Sequence, residues 1–345
     1  MAQLTPVILV TGGTGLVGRA IQHAVASSGP FGRQTGDRWV FVSSSDCDLR
    51  DFDATHDLFD RVRPTHVVHL AARVGGLFAN IASQADFLRD NIRINDAVLQ
   101  NSHDFHVRRV PPQGAELARS LTRQVAKVVS CLSTCIFPTH PTYPLSEGQI
   151  HAGPPDPSNF EYAHAKRLVD VQNRAYREQY GDVFTAVIPT NVFGPGDNYN
   201  LDAAHVLPAL MHKCYIAQRD GTRFVISGSG RPLRQFIYSR DLARLIVWAL
   251  NSYTKVEPLI LSPPENDEVS ILDAALAVMT AMSYEGEYVQ DTSKSDGQYR
   301  KPASNAKLVA ELAKQGLEFE FTPFQEALQE SVDWFVDNYH TDARI

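Results

Sequence analysis

The sequence predicts an α/β fold: a doubly wound parallel sheet with a smaller C-terminal α/β domain. Short apolar, β-branched runs of strand length alternate with longer helical segments as far as about residue 190. The first run, 7–11, leads through a glycine-rich turn into a helical pattern. Beyond residue 190 the alternation becomes irregular. We therefore expect residues 1–190 to form the sheet domain, with 237–262 returning to it, and residues 191–345 to form mainly a substrate-binding domain.

The composition is that of an ordinary globular protein. Of 345 residues, 43% are hydrophobic and 21% are charged, and the formal net charge is −7. This balance gives no reason to expect nucleic acid or an anionic membrane as a partner. No apolar run is long enough to span a bilayer, and the first residues lack the regions of a signal peptide. Four cysteines without framework or metal-ligand spacing predict free thiols, no metal and a cytoplasmic location.

A glycine-rich turn follows the first predicted strand. Strand, glycine turn and helix, in this order, are the context of a dinucleotide-binding fingerprint. Gly12 permits the tight turn, Gly15 lets the backbone approach a pyrophosphate, and Gly18 lets the helix pack closely on the strand. The candidate cofactor contacts are Gly12, Gly13, Thr14, Gly15, Leu16, Val17 and Gly18. The first domain is therefore predicted to be a Rossmann domain.

The second predicted strand, 39–43, ends without an acidic residue. Proteins that bind NAD usually place an Asp or Glu there for the ribose hydroxyls, whereas this strand ends in Ser43, Ser44 and Ser45. An uncharged end leaves room for a 2′-phosphate, so NADP(H) is the predicted cofactor. Asp48 suits either an adenine contact or a solvated turn.

A Tyr and a Lys one helical turn apart indicate a catalytic site. The apolar run 128–136 is expected to be a buried strand that carries Ser133 and Cys135 at its carboxyl end. Tyr162 and Lys166 are spaced i, i+4, so they share one face of a helix. An ammonium beside a phenol should lower the pKa of Tyr162 and allow proton exchange with a carbonyl near neutral pH. Such a pair is common on exposed helices, and it gains weight from the preceding Ser and the glycine turn.

Ser, Tyr and Lys after such a turn resemble the extended branch of the short-chain dehydrogenase/reductase superfamily. Within it, the Cys two residues after Ser133 is similar to the GDP-L-fucose synthase family. Further similar stretches are residues 74–77, 188–195, 205–208 and 294–297, so the resemblance covers nearly the whole chain. It implies a two-step reaction on GDP-4-keto-6-deoxy-D-mannose, in which 3,5-epimerisation precedes NADPH-dependent reduction at C4. It also implies a homodimer.

The resemblance implies a role for each matching residue. Tyr162 would give a proton to the C4 oxygen, Lys166 would support it and bind the nicotinamide ribose, and Ser133 would hydrogen-bond the C4 oxygen. Cys135 and His205 would be the acid–base pair of epimerisation, with Cys135 as a thiolate base after a modest fall in its pKa. Further implied cofactor contacts are Cys131, Leu132, Ser133, Thr134, Lys166, Pro189, Thr190, Asn191, Val192 and His205. The implied contacts of the GDP-sugar are Lys213, Ser227, Arg234, Asp296 and Lys301.

Three features depart from that family, and two alternative functions remain. Gly196 replaces a His, Ser227 stands where a Trp is common, and residues 106–124 form a longer connection, which we expect to be a surface excursion. One alternative is a nucleotide-sugar 4-epimerase or reductase without 3,5-epimerisation, against which Cys135 and His205 argue. The other is a non-catalytic NADP-binding regulator, which would usually lack the Tyr or the Lys.

Overall fold

Strands and helices alternate through the first half of the chain, as predicted. The computed structural model describes residues 5–75, 83–107, 125–294, 296 and 298–345. Its strands are β1 (Val7–Thr11), β2 (Arg38–Val42), β3 (His66–His69), β4 (Lys127–Cys131), β5 (Phe184–Pro189), β6 (Asn191–Phe193), β7 (Phe224–Ser227), β8 (Leu233–Arg234), β9 (Phe236–Tyr238), β10 (Leu259–Leu261), β11 (Val269–Ser270) and β12 (Tyr288–Asp291). Its α-helices are α1 (Leu16–Ala24), α2 (Phe52–Val62), α3 (Gln84–Val107), α4 (Phe160–Tyr180), α5 (Val206–Asp220), α6 (Ser239–Ser252), α7 (Ile271–Ala281), α8 (Ala306–Ala313) and α9 (Phe324–Asn338).

Six parallel strands form the central sheet, in the order β10-β5-β4-β3-β1-β2. The strand order reverses at β1, because β2 pairs with one of its edges and β3 with the other. The loops that leave such a reversal diverge and open a crevice outside the carboxyl ends of the strands, where α/β sheets bind ligands. The predicted doubly wound sheet is confirmed.

Helices cover both faces of this sheet, which explains its continuous apolar strands. All five residues of β1 are buried. Val7 and Leu9 join a core on the side of α2, α3 and α4, and Ile8 and Val10 join a core on the side of α1, α6 and α8. Burying each such side chain contributes roughly 1.5–3 kcal/mol. This alternation positions the carboxyl end of β1 at the crevice.

A third core lies in the C-terminal half of the chain. It joins α5, α7 and α9 to β7 and β9 and is rich in aromatic residues, among them Phe193, Tyr199, Phe224, Phe236 and Phe335. All of them fall within the range predicted for the smaller domain.

Two predicted element boundaries are wrong near the site. The apolar run 128–136 is strand only as far as Cys131, because Ser133 caps a 3₁₀ turn over Thr134–Ile136. The turn-rich sequence 190–198 predicts a loop after Pro189, but this stretch contains β6, which pairs in parallel with β9. In both places long-range pairing or a local cap overrides the local sequence pattern.

The sequence also predicts that Asp241 caps a helix that ends near Asn251. This prediction is wrong, because Asp241 lies buried in the first turn of α6, where its carboxylate accepts a hydrogen bond from Thr322 N at 2.7 Å. The short strand β12 and helix α8 were not predicted.

Some predictions fall on residues outside the described ranges. These are most of the expected excursion (108–124), residues 76 and 77 of one family stretch, and residues 295 and 297 of another. Residues 106 and 107, predicted to begin the excursion, belong to the end of α3. None of the described helices has the length and apolar character needed to cross a membrane.

Candidate functional site

The glycine turn after β1 has no room for side chains on the protein side. Gly12 has φ of +70°, and a Cβ there would lie 3.0 Å from Ala71 N, at the end of β3. A Cβ at Gly13 would lie 2.7 Å from Phe41 Cβ, and one at Gly18 would lie 2.5 Å from Gly12 O. The tight turn and close helix packing predicted from the sequence are confirmed.

Gly15 is different, because open space lies in front of it. A Cβ there would have only Gly12 O within 4 Å, at 3.3 Å. Gly15 is also the N-cap of α1, and no side chain caps that helix. The first amides of a helix without a capping side chain form a ready site for phosphate. The cradle therefore fits the pyrophosphate of a dinucleotide.

The end of β2 carries an acid that the sequence analysis overlooked. Asp46 Oδ2 accepts hydrogen bonds from Ser43 N at 2.8 Å and from Ser43 Oγ at 2.7 Å. These hydrogen bonds lower the pKa of Asp46, so its carboxylate is ionised and occupied by its own loop. The position of Asp46, three residues after the serine of the strand end, is the signal that could have revealed it.

Asp48 forms an ion pair at the surface. Arg50 Nη2 lies 2.8 Å from Asp48 Oδ2, and both side chains are about half exposed. Hydrogen bonds from Arg50 lower the pKa of Asp48 to about 2. Both alternatives for Asp48, an adenine contact and a solvated turn acid, stay predictions.

A buried histidine, which the sequence analysis also missed, links the crevice to the helix of the Tyr–Lys pair. His69 ends β3; its Nδ1 lies 2.9 Å from Thr11 Oγ1 and its Nε2 lies 3.1 Å from Asn95 Oδ1. Asn95 Nδ2 in turn donates to Ala165 O of α4 at 3.3 Å. Burial, and then the charge of Lys166, lowers the pKa of His69 to about 3. The ring is therefore neutral and joins three elements around the site.

Lys166 is held at the end of β4. Its Nζ donates to Cys131 O at 2.8 Å, and its side chain is buried, which lowers its pKa. Tyr162 lies one turn earlier on α4, as predicted, but no hydrogen bond among the described residues joins the two side chains. Burial, and then the nearby thiols of Cys135 and Cys131, raises the pKa of Tyr162 well above its ordinary value. The predicted fall in that pKa is therefore wrong, because burial dominates and the ammonium donates to Cys131 O; Tyr162 is a protonated phenol.

Cys135 lies in the 3₁₀ turn that follows β4. Its backbone N–H donates to Ser133 Oγ at 3.4 Å, which brings the predicted serine and thiol together. Burial raises the pKa of the Cys135 thiol, while Ser133, Lys301 and Lys166 act in the opposite direction. The net shift is upward, so the predicted downward shift is wrong for this structure. Desolvation outweighs the hydrogen bond and the two cations.

His205 is the N-cap residue of α5, and its side chain caps nothing. The residue as a whole is exposed to solvent. Surrounding protein atoms nevertheless desolvate the imidazole, and this burial lowers the pKa of His205. The imidazole is therefore neutral near pH 7. No hydrogen bond or ion pair within the described part of the chain joins it to Cys135, so their pairing stays a prediction.

The predicted cofactor stretches all lie at carboxyl ends of strands of the central sheet. Residues 12–18 follow β1, residues 131–134 close β4, and residues 189–192 join β5 to β6. Asn191 is fixed there, because its backbone N and its Nδ2 both donate to Gln235 O, at 3.2 and 2.8 Å. Thr190 is buried, and its Oγ1 has no hydrogen-bond partner among the described residues. An orphan hydroxyl at this edge fits a ligand that supplies the missing partner.

The predicted substrate residues form two groups. In the first, Lys213 Nζ donates to Ser227 Oγ at 3.1 Å. Beside them, Asp296 accepts hydrogen bonds from Ser229 N at 2.6 Å and from Ser229 Oγ at 2.7 Å. The end of β7 thus carries one cation and one anion within a few residues.

The second group comprises Lys301, which lies near Cys135, and Arg234, which lies near Lys301. Burial lowers the pKa of Lys301, and Cys135 and Arg234 are the next largest influences on it. Tyr143, which the sequence analysis missed, also lies near Arg234, and its hydroxyl accepts a hydrogen bond from Gln298 at 3.2 Å. Lys301, Arg234 and Tyr143 therefore form a chain of neighbours that begins at the thiol.

The backbone explains one departure from the family pattern. Gly196 has φ of +77°, and a Cβ there would lie 3.1 Å from Arg19 Cδ. Its carbonyl accepts a hydrogen bond from Arg344 at 2.8 Å. A histidine at this position would be strained in the left-handed region, so this loop is adapted to glycine.

Comparison with known proteins agrees with this geometry. Residues 8–261 match the NAD dependent epimerase/dehydratase family. A GDP-L-fucose synthase of Dictyostelium discoideum is 50% identical over 334 residues, which are 97% of this chain and 96% of that protein. A probable GDP-L-fucose synthase of Drosophila melanogaster is 48% identical and covers 96% of this chain and 98% of its own.

Solved structures give the same result. The crystal structure of a GDP-L-fucose synthetase from Naegleria fowleri bound to NADP has a TM-score of 0.86 and 44% identity, and the match covers 100% of this chain and 98% of that one. The glycine cradle, the Ser–Cys turn and the Tyr–Lys helix thus occur together with high similarity along the whole chain. The chain belongs to the NAD dependent epimerase/dehydratase family and, within that family, to the GDP-L-fucose synthases.

Proposed function

We propose that this protein converts GDP-4-keto-6-deoxy-D-mannose to GDP-L-fucose by 3,5-epimerisation and then reduction at C4, with NADPH as the cofactor. The observation that carries the proposal is the convergence of Ser133, Cys135, Tyr162 and Lys166 on the carboxyl end of β4. NADPH supplies the hydride for the ketone when it is bound. The cradle of residues 12–18 holds its pyrophosphate, and Lys166 holds its nicotinamide ribose.

The epimerisation step uses the acidity of the hydrogens beside the C4 ketone. Removing the proton from C3 or C5 gives an enolate, whose oxygen Ser133 and Tyr162 stabilise as hydrogen-bond donors. Cys135 takes the proton as a thiolate, and His205 returns one to the opposite face as an imidazolium. Thiolate and imidazolium together carry the same number of protons as the neutral pair of the free protein. The pair therefore becomes active when one proton passes from the thiol of Cys135 to the imidazole of His205.

The reduction step uses the phenol of Tyr162. Because its pKa is raised, Tyr162 is protonated near neutral pH and can give its proton to the C4 oxygen. Ser133 holds that oxygen in place. Lys166, anchored on Cys131 O, keeps α4 and its tyrosine against the end of β4.

Charge supports the GDP-sugar as the substrate. Lys213, Arg234 and Lys301 are cations on the substrate side, where a diphosphate needs partners. We assign Ser227 and Asp296, which lie beside Lys213, to the same ligand. Ser227 is smaller than the Trp common in the family, which leaves more space at that position.

We also propose the domain division and assembly predicted from the sequence. The aromatic third core supports a substrate-binding domain in residues 191–345, with 237–262 returning to the Rossmann domain of residues 1–190. A homodimer is supported by apolar side chains exposed on α3 and α4, namely Ile92, Leu168 and Val171. Four free cysteines support a cytoplasmic location.

One NMR experiment tests the function. The protein is incubated with GDP-4-keto-6-deoxy-D-mannose and NADPH in D₂O, beside Cys135→Ser. The wild type should yield GDP-L-fucose with deuterium at C3 and C5. The variant should oxidise NADPH slowly and give a product that keeps the D-manno configuration there, because a serine hydroxyl is far less acidic than a thiol.

Three results would contradict the proposal or one of its assigned roles. A wild-type product without inversion at C3 and C5 would favour the alternative of a plain 4-epimerase or reductase. Normal deuterium incorporation by Cys135→Ser would remove Cys135 from the role of base. A protein that binds NADPH and turns over nothing would be the non-catalytic regulator.

A further inference from the structure

Three cations surround the thiol of Cys135, and two of them are anchored elsewhere. Lys166, Arg167 and Lys301 each interact electrostatically with this thiol. Lys166 donates to a backbone carbonyl of β4 at 2.8 Å, and Arg167 Nε donates to another carbonyl at 3.0 Å. Lys301 makes no hydrogen bond or ion pair within the described part of the chain. Of the three, Lys301 is the cation whose ammonium is free to respond to a charge on sulfur.

The segment that carries Lys301 is fixed beside the catalytic turn. Leu145 joins it by backbone hydrogen bonds of 2.8 and 2.9 Å on either side of Ala303. The buried Gln235 holds Ala303 from the other side: Oε1 accepts from its N–H at 2.6 Å, and Nε2 donates to its carbonyl at 3.0 Å. Leu145, Ala303 and Cys135 pack in the same hydrophobic core. Lys301 lies two residues before Ala303, so this anchored segment positions its backbone beside the catalytic turn.

We propose that Lys301 is the electrostatic partner of Cys135, which stabilises the thiolate form that removes a proton from the substrate, and that Gln235 is the positioning residue of Lys301. The proposal rests on the proposed function, in which Cys135 is the base. The family resemblance gives Lys301 a contact with substrate only, so this role is additional.

The physical reason is the mutual effect of the two charges. In a site that excludes water, an ammonium near a thiolate favours the ionised form of both groups. Burial alone acts against each charge, so neither group ionises well without the other. The other titratable or charged groups around the pair are Tyr162, Lys166, Arg167, Arg234 and Asp156.

The pH dependence of Cys135 alkylation by iodoacetamide tests this proposal in the full-length protein without substrate or cofactor. Lys301→Met should raise the midpoint of the rate profile by about one pH unit, which slows alkylation about tenfold below the midpoint. Lys301→Arg should restore most of the rate, and Gln235→Met should shift the midpoint in the same direction as Lys301→Met. Tandem mass spectrometry separates Cys135 from Cys131.

Two controls come from the chain itself. Cys131 interacts with Lys166 and not with Lys301, so its alkylation profile should stay unchanged in every variant. Lys213→Met removes a substrate-side lysine that hydrogen-bonds Ser227, and it should leave the Cys135 midpoint where it is.

An unchanged Cys135 midpoint in Lys301→Met would overturn the proposal. An equal shift at Cys131 would also overturn it, because it would show a general change of the site and no specific pairing. The alkylation assay needs neither turnover nor ligand, whereas the proposed function is tested by the NMR spectrum of the wild-type product. The two failures are therefore distinguishable.

Discussion

Replacing Lys127 with Met should stabilise the protein at neutral pH. Lys127 is the first residue of β4, so it lies at the amino ends of the strands, opposite to the site. Its buried ammonium donates to Ala249 O at 2.5 Å. No ion pair with a described carboxylate offsets its burial. Burial, and then the charge of Arg177, lowers the pKa of Lys127 from 10.5 to about 7. That difference corresponds to on the order of 4 kcal/mol of stability at pH 7.

The sign of the pH dependence follows from proton binding. Between about pH 7 and 10.5 the unfolded chain binds a proton at Lys127 that the folded protein does not, so the stability of the wild type rises with pH in this window. The cost of burying the charged ammonium lowers the stability in full below the folded pKa of Lys127, and it vanishes above the unfolded pKa. A methionine at this position carries no proton and adds no such pH dependence. The advantage of Lys127→Met should therefore narrow by about 2 kcal/mol between pH 7 and pH 9.

Urea unfolding followed by tryptophan fluorescence at several pH values measures this difference. Ala249 O also accepts a hydrogen bond from Tyr253 N at 3.1 Å, so it keeps a partner in the variant. Lys255→Met is the matched control, because Lys255 is 46% exposed beside Glu311, and such a surface pair contributes only about 0–1 kcal/mol. A wild type more stable than Lys127→Met at pH 7, or a difference that does not change with pH, would refute the reasoning.

Three further predictions concern the site and the assembly. NADPH should give a higher kcat/KM than NADH, because the acid nearest the end of β2, Asp46, is occupied by Ser43; equal or better use of NADH would contradict this. Tyr162→Phe should lower the rate of C4 reduction by about 10²–10⁴-fold while titration shows unchanged NADPH binding; a variant that keeps most of its rate would remove Tyr162 as the acid. The double variant Leu168→Asp, Val171→Asp should sediment as a monomer beside a dimeric wild type, and a dimeric variant would place the interface elsewhere.

The parts of the fold that the sequence predicts well are those in which local pattern and burial agree. The bounds of β1 match the prediction because all five of its residues are buried and a glycine turn ends it. The run 128–136 misleads because Leu132 and Ile136 are as buried in a turn as they would be in a strand. Hydrophobicity reports burial, and only the cap at Ser133 shows where the backbone turns.

Side-chain direction is the main feature of the site that spacing cannot give. The i, i+4 spacing correctly placed Tyr162 and Lys166 on one helix face, but the lysine turns to Cys131 O on β4. Cys131 lies 35 residues before Lys166 in the sequence. The bond from Lys213 to Ser227 is likewise a tertiary contact between α5 and β7. Residue identity can be inferred from the sequence, whereas the choice of partner requires the fold.

Desolvation acts on all four groups of the proposed proton chemistry, and it acts in one direction. Burial raises the pKa of Tyr162 and Cys135 and lowers that of Lys166 and His205. Each shift favours a neutral group over a charged one. For Tyr162 this serves reduction, since the proton needed at C4 is always present. For Cys135 it opposes epimerisation, because a neutral thiol is a poor base. Epimerisation therefore needs a further group that stabilises the thiolate. A cation without another partner among the described residues, such as Lys301, can supply that stabilisation.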